Sequence, residues 1–378
     1  MNFLKEQFDV TALDKILKYP DYFRKLLKCE SDDADYNPMT AIKNLKDKID
    51  KNGFIKVKYF RKNFTGRRIG NGPCYQNLKG EVRGELAKQL YYDIDMGNCH
   101  PRILFNDLKK LNNISYIYLQ IYINNRDKCL KDLLNINKHL TKPQIKSHLL
   151  ALINGRDGHF LYKIKKTLKN KTEWYKGFFE EIKNVKNNLQ IIYPEEYKIF
   201  YNPNREYNSI GSCMALILQG KEDQYLEFII QYLKDSKIIY KKNYSLIFDG
   251  IMVPKFKNNR NKTEIKENKL KKVLKKIEEE FKKKGTPMTV IIKQFKTMDF
   301  TVPISLIEEK KQKEETKLKE EAEAKLKEEA EAKIPPKEQF LNTVYYWYDF
   351  QKEINNNYWI DSDELKEFIK TNINKVCV

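Results

Sequence analysis

Two short apolar runs, far apart in the chain, each deliver an aspartate at a break. The first is Tyr91-Tyr92-Asp93-Ile94-Asp95-Met96-Gly97-Asn98, and the second is Tyr244-Ser245-Leu246-Ile247-Phe248-Asp249-Gly250-Ile251-Met252-Val253. Aromatic and β-branched residues in short runs predict strands, and Gly97-Asn98 and Asp249-Gly250 are turn signals. In a strand from Leu90 to Met96, Asp93 and Asp95 point to the same face, because side chains alternate. Both arms around Asp249 are apolar, so a hairpin turning at Asp249-Gly250 belongs to a buried sheet. Two aspartates from separate strand ends are what two-metal phosphoryl chemistry needs. Taken singly, each segment also fits a surface strand or an ordinary hairpin.

Charge narrows the partner. Lys plus Arg number 72 against 52 Asp plus Glu, a formal net charge of +20. That excess points to a polyanion, most simply nucleic acid. The abundance of Lys, Asn, Ile and Tyr also fits an AT-rich coding sequence. The 24 Tyr and 20 Phe offer stacking faces for bases, although most are expected in the core. Six cysteines without a Cys-x-x-Cys pair, and only four histidines, argue against a structural zinc site. No secretory signal begins the chain, so reduced thiols in an intracellular setting are expected. No uncharged apolar run approaches the roughly 18 residues of a membrane span, so no membrane partner is expected.

Periodicity predicts helix over residues 2–28, divided at Pro20, then an acidic loop over 30–38 and a short helix near 40–51. Ile55–Tyr59 alternates as a strand, and the glycine-punctuated stretch 65–80 reads as a loop. Residues 101–200 are mostly helical in pattern, 213–234 form a strong helix, a charged helix covers about 263–284, and Met288–Phe295 is a last strand. Asn98 is placed to cap the helix that begins near Pro101. Thr141 is an N-cap, Pro143 fits the first turn and Gly155 fits the stop of a helix on which Lys142 and Lys146 share one face. After about residue 306 the repeat Lys317-Leu-Lys-Glu-Glu-Ala-Glu-Ala324, then Lys325–Ala332, reads as a solvated helical tether ended by Pro335-Pro336.

Order and spacing lift these signals together. The chain resembles the polymerase region of family A DNA polymerases. Thr65-Gly66-Arg67 with Gln76-Asn77-Leu78 is similar to the family's Thr-Gly-Arg … Leu-Gln-Asn-Ile element, and Val82-Arg83 to the Ile-Arg before its first catalytic strand. Asp95-Met-Gly-Asn-Cys-His-Pro-Arg-Ile-Leu104 resembles motif A. Lys142-x3-Lys146-x7-Asn154-Gly155 resembles motif B, and Phe248-Asp249-Gly250 stands where motif C has His-Asp-Glu. Thr286-Pro287-Met288 through Asp299-Phe300 resembles the last palm strand. The wording Asp-Ile-Asp-Met-x-Asn-x-His-Pro is most similar to the transposon–virophage polymerase branch, commonly fused to a superfamily 3 helicase.

The resemblance implies an α+β right-hand polymerase fold with an antiparallel palm sheet, a helical fingers insert and a reduced thumb. It implies a thumb-like helical region at 1–53, a palm at 54–303 with fingers at about 101–200, a charged linker at 304–336, and at 337–378 a small helical module or the start of a missing domain. About 53 residues before the first strand are too few for a proofreading exonuclease. Asp95, Asp249 and the Met96 carbonyl would hold two Mg²⁺ ions, with Mn²⁺ as a substitute. Lys146 would neutralise the triphosphate, and Lys142, His100, Asn154 and Arg156 would line the nucleotide. Arg67, Gln76, Asn77, Arg83 and Asn208 would meet the primer–template. Lys142 stands where the family has arginine, His100 where it has a glutamate near the sugar, Asn154 where it has an aromatic, and Gly250 where motif C has its second acid. The expected function is template-directed DNA synthesis from nucleoside triphosphates in replication of a virophage or mobile element. It would take place in the virus factory or cytoplasm of an infected cell, with a superfamily 3 helicase in cis or in trans. Primer synthesis as an RNA polymerase or primase at the same site is the near alternative. A non-catalytic nucleic-acid-binding replication scaffold is the distant one, and it has no need of Asp95, Lys146 and Asp249 together.

Overall fold

The structure, a computed structural model, describes residues 3–27, 37–61, 66–111, 116–155, 168, 170–206, 208–240, 242–256, 265–297 and 299–332. Two units divide the chain, Met1–Phe300 and Thr301–Val378. Thr65, Arg156 and the 337–378 module lie outside the described residues.

The first unit is mixed α/β with two antiparallel sheets. One has the order β1 (Phe3–Gln7), β2 (Phe54–Arg61), β3 (Arg68–Asn71). The other has the order β5 (Ser245–Ile247), β6 (Gly250–Pro254), β4 (Tyr91–Gly97), β7 (Thr289–Lys293). The strands bearing the two aspartates are therefore neighbours, although some 150 residues of chain separate them.

Three expectations are corrected. Residues 3–7 are a strand and not the start of a helix, because β2 supplies the backbone partners of the Phe3–Gln7 segment. Helix begins only at Val10, where Asp9 accepts from the Ala12 amide, and it is broken before Pro20 as expected. The glycine-punctuated stretch holds β3 and a single 3₁₀ turn at Tyr75–Asn77. The hairpin tip is Phe248-Asp249, since Gly250 already pairs with Ile247 and Asp95.

The two sheets are stitched by a sealed carboxylate. Glu6 of β1 is fully buried and accepts from Ser245 Oγ at 2.7 Å, from the Tyr75 amide at 2.9 Å and from Tyr59 Oη. Tyr75 Oη donates to the Gln7 carbonyl at 2.6 Å and the Leu86 carbonyl at 2.9 Å, and Tyr91 Oη accepts from the Gln7 amide at 2.7 Å. Burial raises the Glu6 pKa, and the three donors oppose that rise.

Helix rules hold locally. Thr141 and Gln144 form a reciprocal capping box at the start of Lys142–Ile153. That helix ends at Gly155 (φ +69°), which lies so close to Gly211 that a Cβ on Gly155 would come within 2.6 Å of the Gly211 Cα. The Lys142–Ile153 helix is thus set against the first turn of the long helix Ser209–Asp235. The Glu267–Lys283 helix packs on β7, where the Val290 amide donates to Glu278 at 2.7 Å. Cys74, Cys99, Cys129 and Cys213 are buried free thiols. In the second unit, Ile304–Ala332 is one helix whose side chains from Lys311 to Ala330 are all exposed.

Candidate active site

β4 alternates as the sequence predicts. Tyr92, Ile94 and Met96 are buried in the core, while Asp93 and Asp95 are only partly covered on the other face. Antiparallel partners share a face, so Asp95 lies opposite Gly250 of β6 and Ile291 of β7. The Met96 amide donates to the Asp249 carbonyl at 3.2 Å, fixing the hairpin tip beside the end of β4. Phe248 takes φ +49°, a left-handed conformation that bulky residues rarely adopt and that clusters at functional sites. Arg67 lies over its ring, 5.3 Å from the centroid.

The electrostatics follow from this crowding. Burial first, then the charges of Asp95 and Glu222, push the Asp249 carboxyl up to about 7. Asp93 is raised to about 6, mainly by burial, against the pull of Lys293. Lys293 Nζ stands 3.3 Å from Asp95 Oδ2 and is about half exposed. Such a pair contributes only about 0–1 kcal/mol and yields easily to a competing cation. Lys146 also belongs to this group. Burial, Arg126 and Lys293 lower its pKa, while Asp95 and Asp249 hold it up.

Polar side chains behind the two aspartates brace them. Glu222, in the middle of the long helix, is 2% exposed and meets His100 Nε2 at 2.7 Å and Arg67 Nε at 3.3 Å. His100 Nδ1 lies 2.7 Å from Asn154 Oδ1, and Asn154 Nδ2 donates to the Leu150 carbonyl at 2.8 Å. Next to Glu222, buried Asp223 accepts from Arg61 Nε at 2.9 Å and Arg68 Nε at 2.7 Å. Sequence reasoning missed Glu222, Asp223 and Lys293. For Glu222 and Asp223 the one local signal is that residues 209–220 carry no charge before Lys221-Glu222-Asp223 ends the uncharged run within the helix.

The expected residues divide. The charges of Asp95 and Asp249 act on each other and on Lys146, an exposed side chain, while Arg67, His100 and Asn154 belong to the polar cluster around Glu222. Lys142 is exposed, with its Nζ 3.0 Å from Asp127 Oδ1. Gln76 is spent on the backbone of β3, accepting from the Gly70 amide at 3.0 Å and donating to the Arg68 carbonyl at 3.2 Å. Asn77 donates to the Gly72 carbonyl at 2.7 Å. Arg83 is half-buried and acts on Asp93 by charge. Asn208 sits at the start of the long helix with φ +49°, accepting from Lys186 Nζ at 3.1 Å. Asn98 also has positive φ, and its side chain makes no cap hydrogen bond, which corrects the expected N-cap. A side chain at Gly250 would put its Cβ 2.5 Å from the Ile94 carbonyl, so this hairpin has no room for a second acid there.

The donor set suits a hard divalent cation. Asp95 on β4 and Asp249 at the hairpin tip before β6 are near enough for the charge of Asp95 to raise Asp249, and a cation would relieve that part of the rise. Among the described residues no group of three or more His, Cys, Asp or Glu is arranged to hold a metal. Mg²⁺ needs few protein ligands, because it keeps water and takes substrate phosphate oxygens.

Fold and site thus define a mixed α/β protein with an acidic pair at the end of an antiparallel sheet, and comparison relates it to a virophage protein. That relative is named "Putative helicase V13", of Sputnik virophage; the chain is 28% identical to it over 263 residues, covering 66% of this chain and 31% of the relative. The chain spans about a third of the length of the curated protein it matches. No family model matches the chain. No helix among the described residues is long and apolar enough to cross a membrane.

Proposed function

We propose that the chain is a template-directed nucleotidyltransferase, a DNA polymerase of the transposon–virophage branch of family A. It would act in the replication of a virophage or mobile element within an infected cell. One observation carries this reading: the register sets Asp95 against Gly250 while the Met96 amide holds the Asp249 carbonyl at 3.2 Å. The end of the Asp95 strand and the tip that carries Asp249 are thereby set side by side, and the charges of both aspartates act on Lys146. In this reading the four-stranded sheet is the palm and the helices between Cys99 and Phe200 are the fingers. A match to about a third of a protein named as a helicase supports a polymerase part joined to a superfamily 3 helicase.

Asp95 and Asp249 would hold two Mg²⁺ ions, which supply charge neutralisation at the transferring phosphate and activation of the primer 3′-hydroxyl. Lys146 meets the triphosphate with a cation whose proton is loosened by its surroundings. Arg67 and Glu222 keep the hairpin tip and His100 in place, so the carboxylates need no rearrangement as charge develops. A scaffold that only binds nucleic acid gains nothing from a desolvated Asp249 kept under the charge of Asp95, an arrangement that costs stability.

A second reading, primer synthesis from ribonucleotides, is favoured by His100. Where the DNA polymerases carry a glutamate near the sugar, this chain has an imidazole engaged through both nitrogens with Asn154 and Glu222. Primer extension decides between the two. Wild type, Asp95→Asn and Asp249→Asn are offered dNTPs or NTPs on primed and unprimed templates. The expected result is dNTP incorporation on the primed template, lost in both variants while DNA binding persists. Full activity in either variant removes that residue from the site, and NTP use on the unprimed template replaces polymerase with primase.

A further inference from the structure

A groove of about 2210 Å³ is lined by Arg61 and Arg68, the partners of Asp223, and not by Asp95, Asp249 or Lys146. Its walls come from β1, β2 and β3, from the end of the long helix, and from the segment leading into β5. Small-molecule sites run to roughly 300–1,000 Å³, so the space fits an extended polymer better than a metabolite.

The lining chemistry is specific in sign. Lys5, Lys234, Lys237 and Lys242 are lining cations, with Arg61 and Arg68 behind them, and Glu227 is the single acid of the lining. Arg61 and Arg68 are committed to Asp223, but Lys234 and Lys237 are exposed. Interleaved with these cations are aromatic faces turned to solvent: Phe60 is 41% and Tyr240 is 53% exposed. Asn243 adds a shielded Oδ1 that no donor satisfies. Cations beside open rings are the chemistry of single-stranded nucleic acid, with phosphates on the lysines and bases stacked on the aromatics. An acidic peptide would use the charges and leave the rings exposed. The groove also borders the site at one peptide bond. Arg67 pairs with Glu222 at the aspartates, whereas Arg68 lines the groove.

We propose that this groove is a track for single-stranded nucleic acid, separate from the nucleotidyl-transfer site and bordering it where Arg67 meets Arg68. The track needs neither metal nor nucleotide, so it stands or falls apart from the polymerase reading.

The test uses the full chain, a fluorescein-labelled single-stranded oligonucleotide of mixed sequence, and anisotropy titrations without divalent metal or nucleotides over a series of salt concentrations. Lys234→Gln with Lys237→Gln should weaken binding about tenfold and reduce the salt slope by about 1.4, at about 0.7 for each phosphate no longer neutralised. Tyr240→Ala should weaken binding about tenfold with the salt slope unchanged, since stacking releases no counterions. All substituted groove side chains are exposed, and an unchanged melting temperature shows that the fold is kept. Wild-type affinity and slope in the double lysine variant would overturn the proposal. So would a poly-glutamate competitor that displaces the oligonucleotide as well as unlabelled strand does, because the groove would then read charge alone. Failure of primer extension with groove binding intact would sink the polymerase reading and leave this one standing.

Discussion

The molecule keeps two carboxylate centres in two different ways. At Glu6 a single acid is sealed at the join of the two sheets and is met by Ser245, Tyr59 and the Tyr75 amide, and among the described residues no second carboxylate acts on it. At Asp95 and Asp249, two acids share a partly open sheet end, and Asp95 is met by half-exposed Lys293. The first arrangement satisfies every demand of a buried acid, and the second leaves a repulsion standing. Burial raises the pKa in both places, so burial alone does not mark function. What differs is the neighbour: donors at Glu6, another acid at Asp249. A protein retains an uncompensated pair only where something else supplies the missing positive charge.

The sharpest way to break this contrast is substitution at each centre. Asp95→Asn and Asp249→Asn should each lower nucleotide incorporation by about 10³-fold or more, a loss of about 4 kcal/mol or more in transition-state stabilisation. Thermal stability should hold or rise, because the change removes a like charge. Glu6→Ala should do the reverse. It strands two hydroxyls and an amide in the core, at a cost of about 3–5 kcal/mol, and lowers the melting temperature steeply. Activity measured on the folded fraction should stay near wild type. A Glu6→Ala protein that melts normally, or an Asp249→Asn protein that unfolds, would erase the distinction between the two centres.

Acid offers a milder probe on the helical side. His148 is buried, 2.6 Å from Tyr175 Oη, and its pKa is pushed down to about 4 by burial and by the charge of Lys171. The unfolded chain titrates this imidazole near 6.5, so between 6.5 and 4 the unfolded state binds the extra proton. Stability from this group is therefore complete above pH 6.5 and falls by up to about 3 kcal/mol as the pH drops to 4. Urea denaturation at pH 7 and pH 4.5 should show the loss, and His148→Gln should remove that part of it. An equal acid loss in the variant would assign the effect to other groups.

How far the chain could be read in advance follows from the range of each interaction. β4, the hairpin around Asp249 and the N-cap at Thr141 depend on residues within a few positions of one another, and local rules found them. The Phe3–Gln7 strand was missed because its extended form depends on β2, about 50 residues on, and tertiary pairing overrides a helical pattern of Phe3, Leu4 and Phe8. Glu222 and Asp223 read as a charged helix face, since their arginine and histidine partners lie far away in sequence. Asp223, for example, is 162 residues from Arg61. Glu6 and Ser245 are 239 residues apart, and no pattern in either segment names the other. Polar contacts across the fold, more than the elements themselves, escape sequence reasoning.

Lys142 and Lys146 put the same lesson on one helix. By spacing they share a face and look equivalent, one turn apart. In the fold Lys146 sits among the charges of Asp95, Asp249, Arg126 and Lys293, whereas Lys142 holds Asp127 in an ion pair exposed on both sides. Lys146→Ala should therefore cut incorporation by about 10²-fold or more, mostly in kcat, as expected for a cation that stabilises developing charge. Lys142→Ala removes a surface pair and should shift stability by less than about 0.5 kcal/mol and incorporation by no more than about threefold. Steady-state primer extension on the two variants compares them directly. Equal losses would mean that the incoming triphosphate draws Lys142 away from Asp127, and a large loss at Lys142 alone would move the nucleotide toward the N-terminal end of that helix.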